Sequence, residues 1–160
     1  MKAVAILLIV LCLAAFTGIG YLYLTTNLSV TAADCIAVDP ATQPDVFAQL
    51  KRQLEGETFI GTVFSSELPE DPQDWQFYTY TVHLDNRTFL QAEVIEFQIA
   101  PMAGDLLQPG DTQALSLRPR SSGDFTVSLL TARDMHPVRE LTVSWYFAGL
   151  PFSEKITVGR

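Results

Sequence analysis

"FYTYTVHLDNRT" (Phe77–Thr88) holds three aromatic rings, one of the chain's two histidines, an aspartate and the triplet Asn-Arg-Thr. Taken as a site, it is a crowd of rings around His83. Taken by parity, it splits into two faces. Tyr78, Tyr80, Val82 and Leu84 fall on one, and Phe77, Thr79, Thr81, His83 and Asp85 on the other. Strand side chains alternate with a period of two. The first set is therefore a core face, and the second, β-branched and polar, suits a wetter one. Asp85-Asn86 then supplies turn chemistry. His83 reads as an outward strand residue near a turn, not as a ligand or a base.

The same parity recurs in "RELTVSWYF" (Arg139–Phe147), where Leu141, Val143, Trp145 and Phe147 share a face and make Trp145 a core anchor. Alternation and turn signals predict further strands over Leu28–Val38, Thr58–Ser66, Gln76–Leu84, Gln91–Ala100, Gln113–Leu117, Asp124–Thr131, Val138–Phe147 and Glu154–Val158. In the first of these Leu28, Val30, Ala32, Ile36 and Val38 fall on one parity, with Asp34 the exception. One helix is expected outside the N-terminal segment, over Pro44–Glu55. Pro44 suits a first helical position, Val46, Phe47, Leu50 and Leu54 share a face, and Gly56 is a natural stop. Strands without alternating helices disfavour a parallel α/β fold. The expected class is all-β: an immunoglobulin-like antiparallel β-sandwich with one short inserted helix, preceded by an N-terminal transmembrane helix.

That segment, Ala3–Leu24, is 22 residues without a charge. Roughly 20 apolar residues in a helix cross a bilayer core. Tyr21 and Tyr23 stand at its far end, where amphipathic rings prefer the interface. Lys2 precedes it, and the next basic residue is Lys51. Positive charge stays on the cytoplasmic side, so the rest of the chain is expected outside. A cleaved signal peptide is the competing reading, with Val30-Thr31-Ala32 as a small-residue site. Its apolar region is ordinarily about 7–15 residues, so the length favours a retained signal anchor. The expected organisation is an anchor over residues 1–24 and an extracytoplasmic sandwich over residues 25–160.

The chain carries −8; residues 1–24 contribute only Lys2, so the remainder carries −9. Such a balance argues against nucleic acid and against adhesion to anionic lipid headgroups. Cys12 lies within the apolar segment and Cys35 beyond it. A bilayer between them prevents a mutual disulfide, and Cys35 is expected buried in its strand.

Around the opening stretch the order of residues resembles a known pattern. A strand ends in "HLDNRT", a second follows in "AEVIEFQIAP", and "RPRSSGDF" turns into "FTVSLL". This is similar to the sandwiches of the late-embryogenesis-abundant type 2 (water-stress and hypersensitive response, WHy) group and to small bacterial envelope domains of the FxLYD kind. Asn86, Pro119, Ser122, Gly123 and Phe125 occupy the places where that pattern carries Asn, a Pro/Gly/Ser turn and Phe. The FxLYD signature is absent, and Pro44–Glu55 is an insertion. The resemblance implies a non-enzymatic, membrane-tethered module with no catalytic residues.

Sites for chemistry are sparse. No nucleophile motif surrounds Cys35, so a Cys35–His83 hydrolase is the least favoured reading. His83, His136, Asp85 and Asp134 lack local zinc spacing. Glu67, Glu70, Asp71 and Asp74 lie in a loop without the order of a calcium-binding hand. Asn27 and Asn86 each begin a glycosylation triplet. No catalytic residue, cofactor or metal is expected. Exposed apolar residues at a loop tip can mark a partner site; in "WYFAGLPF" the candidates are Tyr146, Leu150 and Phe152. The expected partners are the bilayer, through residues 3–24, and an envelope protein. The expected function is a structural or protein-interaction module of the cell envelope. A solute- or glycan-binding envelope module is the alternative, and a secreted hydrolase the third.

Overall fold

The computed structural model describes residues 2–25, 28–110 and 113–160. Within them the chain runs α1 (Lys2–Thr25), β1 (Leu28–Val38), α2 (Pro44–Glu55), β2 (Gly61–Val63), β3 (Trp75–Asn86), β4 (Ala92–Ile99), β5 (Asp105–Pro109), β6 (Leu115–Leu117), β7 (Ser121–Ala132), β8 (Arg139–Phe147) and β9 (Leu150–Val158). The strands form an antiparallel five-stranded sheet, β1-β3-β7-β5-β2, and an antiparallel four-stranded sheet, β6-β4-β8-β9. The order β1-β3-β7-β5 in one layer and β4-β8-β9 in the other is the A-B-E-D and C-F-G arrangement of a constant-type immunoglobulin sandwich. To it are added the two three-residue edge strands, β2 and β6.

β3 lies inside the larger sheet, between β1 and β7. Its inward residues Tyr78, Tyr80, Val82 and Leu84 pack with Leu141, Val143, Trp145 and Phe147 of β8 in the main core. Fully burying such side chains contributes about 1.5–3 kcal/mol each. The opposite face of the larger sheet is covered at one end only. There α2 lays Phe47 and Leu50 against Phe77, Leu106, Leu107 and Leu130, forming a second cluster. Farther along, the outward row of β3 and β7 is polar: Thr79 Oγ1 meets Ser128 Oγ at 3.1 Å, and His83 stands opposite Asp124.

Three strands depart from simple alternation. β1 carries a bulge: Ala32 pairs with Val82 but Asp34 with Thr81, so one extra residue intervenes. A one-residue slip sends later side chains to the other face. Leu28, Val30 and Cys35 therefore meet the main core, Ile36 is exposed, and Val38 joins the cluster under α2. The single face expected for Leu28 to Val38 is corrected accordingly. β4 has a similar bulge between Ala92 and Ile95, with Val94 at φ 49°, which keeps both Ala92 and Ile95 inside. β5 was not expected. Leu106 and Leu107 are both buried, one residue apart, so the segment shows no period of two. The strand expected over Thr58–Ser66 shortens to Gly61–Val63, where Gly61 has φ 143° and a Cβ would collide with the Gln108 carbonyl.

β8 and β9 join through a two-residue turn, with Phe147 paired to Leu150 and positive φ at Ala148 (48°) and Gly149 (79°). Two positive values in succession make a type I′ turn, whose twist matches the strands it links.

Candidate functional site

Tyr146, Leu150 and Phe152 all belong to the β8–β9 hairpin, but Tyr146 lies on one face and Leu150 and Phe152 on the other, with Trp145 and Phe147. Tyr146 is 40% exposed, whereas Leu150 and Phe152 are half-buried. Phe152 stacks on Trp145 (centroids 6.3 Å apart, 10° between planes) and meets Phe147 edge-on at 5.6 Å. Phe152 thus closes the core under the turn, and Tyr146 is the ring left facing outward. Trp145 is 4% exposed, as expected for an anchor, and its indole N–H has no partner among the described residues.

The histidines, thiol and acids are not brought together. His83 Nδ1 lies 2.7 Å from Asp124 Oδ1 on the outward face of the larger sheet, near the Asn86 end of β3. His136 lies in the β7–β8 connection, beside the opposite end of β3. Cys35 stands across from inward-facing Tyr80, on the other side of the sheet from His83. Burial pushes the Cys35 thiol above its ordinary pKa, which disfavours thiolate. Asp71 accepts the Gln73 N–H at 2.9 Å and starts a short 3-10 turn over Pro72–Asp74. Asp39 does the same for Ala41 at 2.9 Å; that N–H, aided by Arg133, holds its carboxyl below the usual range. No group of three or more His, Cys, Asp and Glu side chains among the described residues is arranged to hold a metal ion.

One groove is open to solvent beside α2. It encloses about 350 Å³ between the helix and the larger sheet, lined by apolar Val46, Leu50 and Phe77 and by the amides of Gln43, Gln49 and Gln53. Such a mixed apolar and amide lining suits a small polar solute with an apolar face.

Two buried polar knots hold the ends of the sandwich; the sequence singled out Asn86 of one, but neither Arg139 nor Asp105 of the other. At one end Arg139 and Asp105 are both fully enclosed. Arg139 Nη2 and Nε donate to Asp105 at 2.7 and 3.0 Å, and Nη1 donates to the carbonyls of His136 and Val138 at 2.6 and 2.8 Å. Beside them the hydroxyls of Tyr78 and Tyr80 donate to the carbonyls of Met135 and Pro137 at 2.8 and 2.7 Å. Burial raises the Tyr80 hydroxyl pKa well above its ordinary value, against the opposing pull of Arg139. At the other end Asn86 is fully buried: Nδ2 donates to the carbonyls of Leu90, Leu117 and Arg118, and Oδ1 accepts from the N–H and hydroxyl of Thr88. Asn86 thus ties two turns together instead of offering its amide for a glycan. Asn27 lies outside the described residues. Parity does carry a trace of Arg139, which shares the core face of Leu141, Val143 and Trp145.

No known protein-family profile matches this chain, and no curated protein does. Among solved structures it is similar to the yeast GGA1 GAE domain (12% identity, TM-score 0.36, covering 56% of this chain and 93% of that one). It is also similar to a FixG-related protein from Vibrio parahaemolyticus (11% identity, TM-score 0.37, covering 84% of this chain and 95% of that one).

Proposed function

We propose that this chain is a single-pass, membrane-tethered module of the cell envelope, with a cytoplasmic N-terminus and an extracytoplasmic sandwich that serves a structural or protein-interaction role without catalysis. One observation carries the reading. No residue of the apolar window within Ala3–Tyr21 is buried in the rest of the protein, and only two residues separate α1 from β1. A helix of that length and composition needs an apolar surrounding, and the sandwich does not supply one. The resemblance of its turns to WHy and FxLYD-type envelope domains points the same way. The buried polar groups described above are occupied in holding turns, which suits a rigid body on a tether. Of Tyr146, Leu150 and Phe152, Tyr146 is the proposed partner contact, with Leu150 and Phe152 supporting the hairpin from the core side.

The groove beside α2, lined in part by glutamines, favours a second reading, a solute- or glycan-binding module. Photo-crosslinkers placed at Tyr146 and, separately, at Gln49 discriminate the two in native membranes. Discrete protein adducts from position 146 support the interaction module. An absence of adducts, with a sugar or amino acid raising Tm through Gln49 and Gln53, overturns it in favour of solute binding.

A further inference from the structure

The two ends of the sandwich differ in charge. Leu28, Asn86 and Ser121 stand side by side where β1 begins, β3 ends and β7 begins. The turn between β3 and β4 and the turn between β6 and β7 are knitted together here, by Asn86 Nδ2 on the Leu117 and Arg118 carbonyls and by the Arg120 N–H on the Thr88 carbonyl. They present three exposed guanidinium groups, Arg87, Arg118 and Arg120, around Phe89, which is 63% exposed. Arg87 pairs with Asp85 at 2.7 Å. Arg118 and Arg120 have no carboxylate within ion-pair reach among the described residues. The β8–β9 hairpin tip, Ala148-Gly149, lies at the same end, because Tyr146 of β8 pairs with Glu93 at the start of β4. At about 3.3 Å per residue, the opposite end lies roughly 35 Å away along β3. That end carries exposed Glu67, Glu70, Asp71, Asp74 and Asp134.

Chain length decides which end faces the bilayer. Leu28 follows the last residue of α1, Thr25, by three positions, a reach of at most roughly 11 Å. We infer that the Arg87–Phe89–Arg118–Arg120 end of the sandwich is a bilayer-contact surface, its arginines binding the anionic headgroups of the facing leaflet and Phe89 entering the headgroup layer. The inference rests on the tethered reading above. The chain's overall −8 conceals the surface, because a sum carries no positions, and the exposed Glu67, Glu70, Asp71, Asp74 and Asp134 lie at the far end. Basic residues held near an anionic surface favour contact by about fivefold each, and the short linker spends little freedom in placing them there. Acids at the far end turn that end away from the same surface.

The test uses the full chain in vesicles of phosphatidylglycerol or of phosphatidylcholine, labelled at Ala148→Cys or at Gln73→Cys in a Cys12→Ala, Cys35→Ser background. A quencher on the lipid headgroup should dim the label at 148 and spare that at 73. Dimming should be strong on phosphatidylglycerol, weaker on phosphatidylcholine, and lower by about fivefold in contact occupancy for each of Arg118→Gln and Arg120→Gln. Unchanged Tm in these surface variants separates lost contact from lost folding. Flotation in alkaline carbonate reports the tether by itself. A chain that floats, but whose label at 148 is dimmed no more than that at 73, or is dimmed regardless of the arginines and the anionic lipid, overturns the inference and leaves the tether standing. A chain that fails to float overturns both.

Discussion

Asp105→Ala tests the account of what holds the sandwich closed. Asp105 starts β5 in the larger sheet and Arg139 starts β8 in the smaller one, so their ion pair spans the two layers. Both side chains are 0% exposed, and the carboxylate also accepts the Met102 N–H at 2.8 Å. The substitution removes two charged contacts, at 2.7 and 3.0 Å, and leaves a buried guanidinium with no carboxylate partner. Arginine cannot escape by losing its proton. Breaking a buried pair by removing one partner costs about 3–5 kcal/mol, a large fraction of the roughly 5–15 kcal/mol that holds a domain. For urea slopes of about 1–3 kcal/mol/M, the unfolding midpoint should fall by roughly 2 M. The assay is urea unfolding of the full chain in detergent micelles, followed by the fluorescence of Trp75 and Trp145. Asp105→Leu with Arg139→Met together should recover most of the loss, because an apolar pair of similar volume carries no desolvation penalty. A cost under about 1 kcal/mol, the central value for one ordinary hydrogen bond, or a double variant no better than the sum of the singles, would contradict this.

The hydroxyl of Tyr80 is protonated and buried, with a pKa raised in the folded chain. Its contribution is fully present below the ordinary tyrosine value of about 10 and is lost as pH rises past it, by about 1.4 kcal/mol per pH unit, because the unfolded chain sheds the proton first. Urea midpoints measured from neutral to strongly alkaline pH should show this fall; Tyr80→Phe should lessen it, at a cost of about 1 kcal/mol near neutrality from the lost bond to Pro137. Asn86→Ala should cost about 3 kcal/mol, because it strands several carbonyls and the Thr88 N–H at a buried corner. The same burial predicts that folded chain made in a eukaryotic secretory host carries no glycan on Asn86; intact mass reads this out, and a folded glycosylated species would contradict it.

Much of the sandwich was legible because strand parity is a short-range signal. β3 separates into faces as its sequence indicates, and the bounds of β1 and α2 are those that their spacing predicts. What stayed hidden involves partners distant in the chain. The β1 bulge appears only against Thr81 and Val82, and without it Ile36 reads as core. Leu106 and Leu107 of β5 are adjacent and both buried in the cluster under α2, so they give no alternation to detect. Gln108 is invisible for a similar reason: its side-chain amide accepts from the Ile99 N–H and donates to the Phe97 carbonyl, taking the place of a neighbouring strand along β4. Arg139 and Asp105 lie 34 positions apart and make sense only once both are seen fully enclosed. Net charge was the least informative quantity, since a sum carries no positions. The sequence left Phe152 between contact and packing under the turn, because its stacking on Trp145 depends on the tight hairpin turn.

Alkaline-carbonate extraction of native membranes, with the N-terminal sequence of the protein read from the same sample, tests the tether most directly. The chain is expected in the pellet with residues 3–24 intact and the sandwich cut only by protease added on the extracytoplasmic side. Release of soluble protein whose N-terminus is Ala33 or Asp34 would contradict it, because α1 would then be a leader and not an anchor.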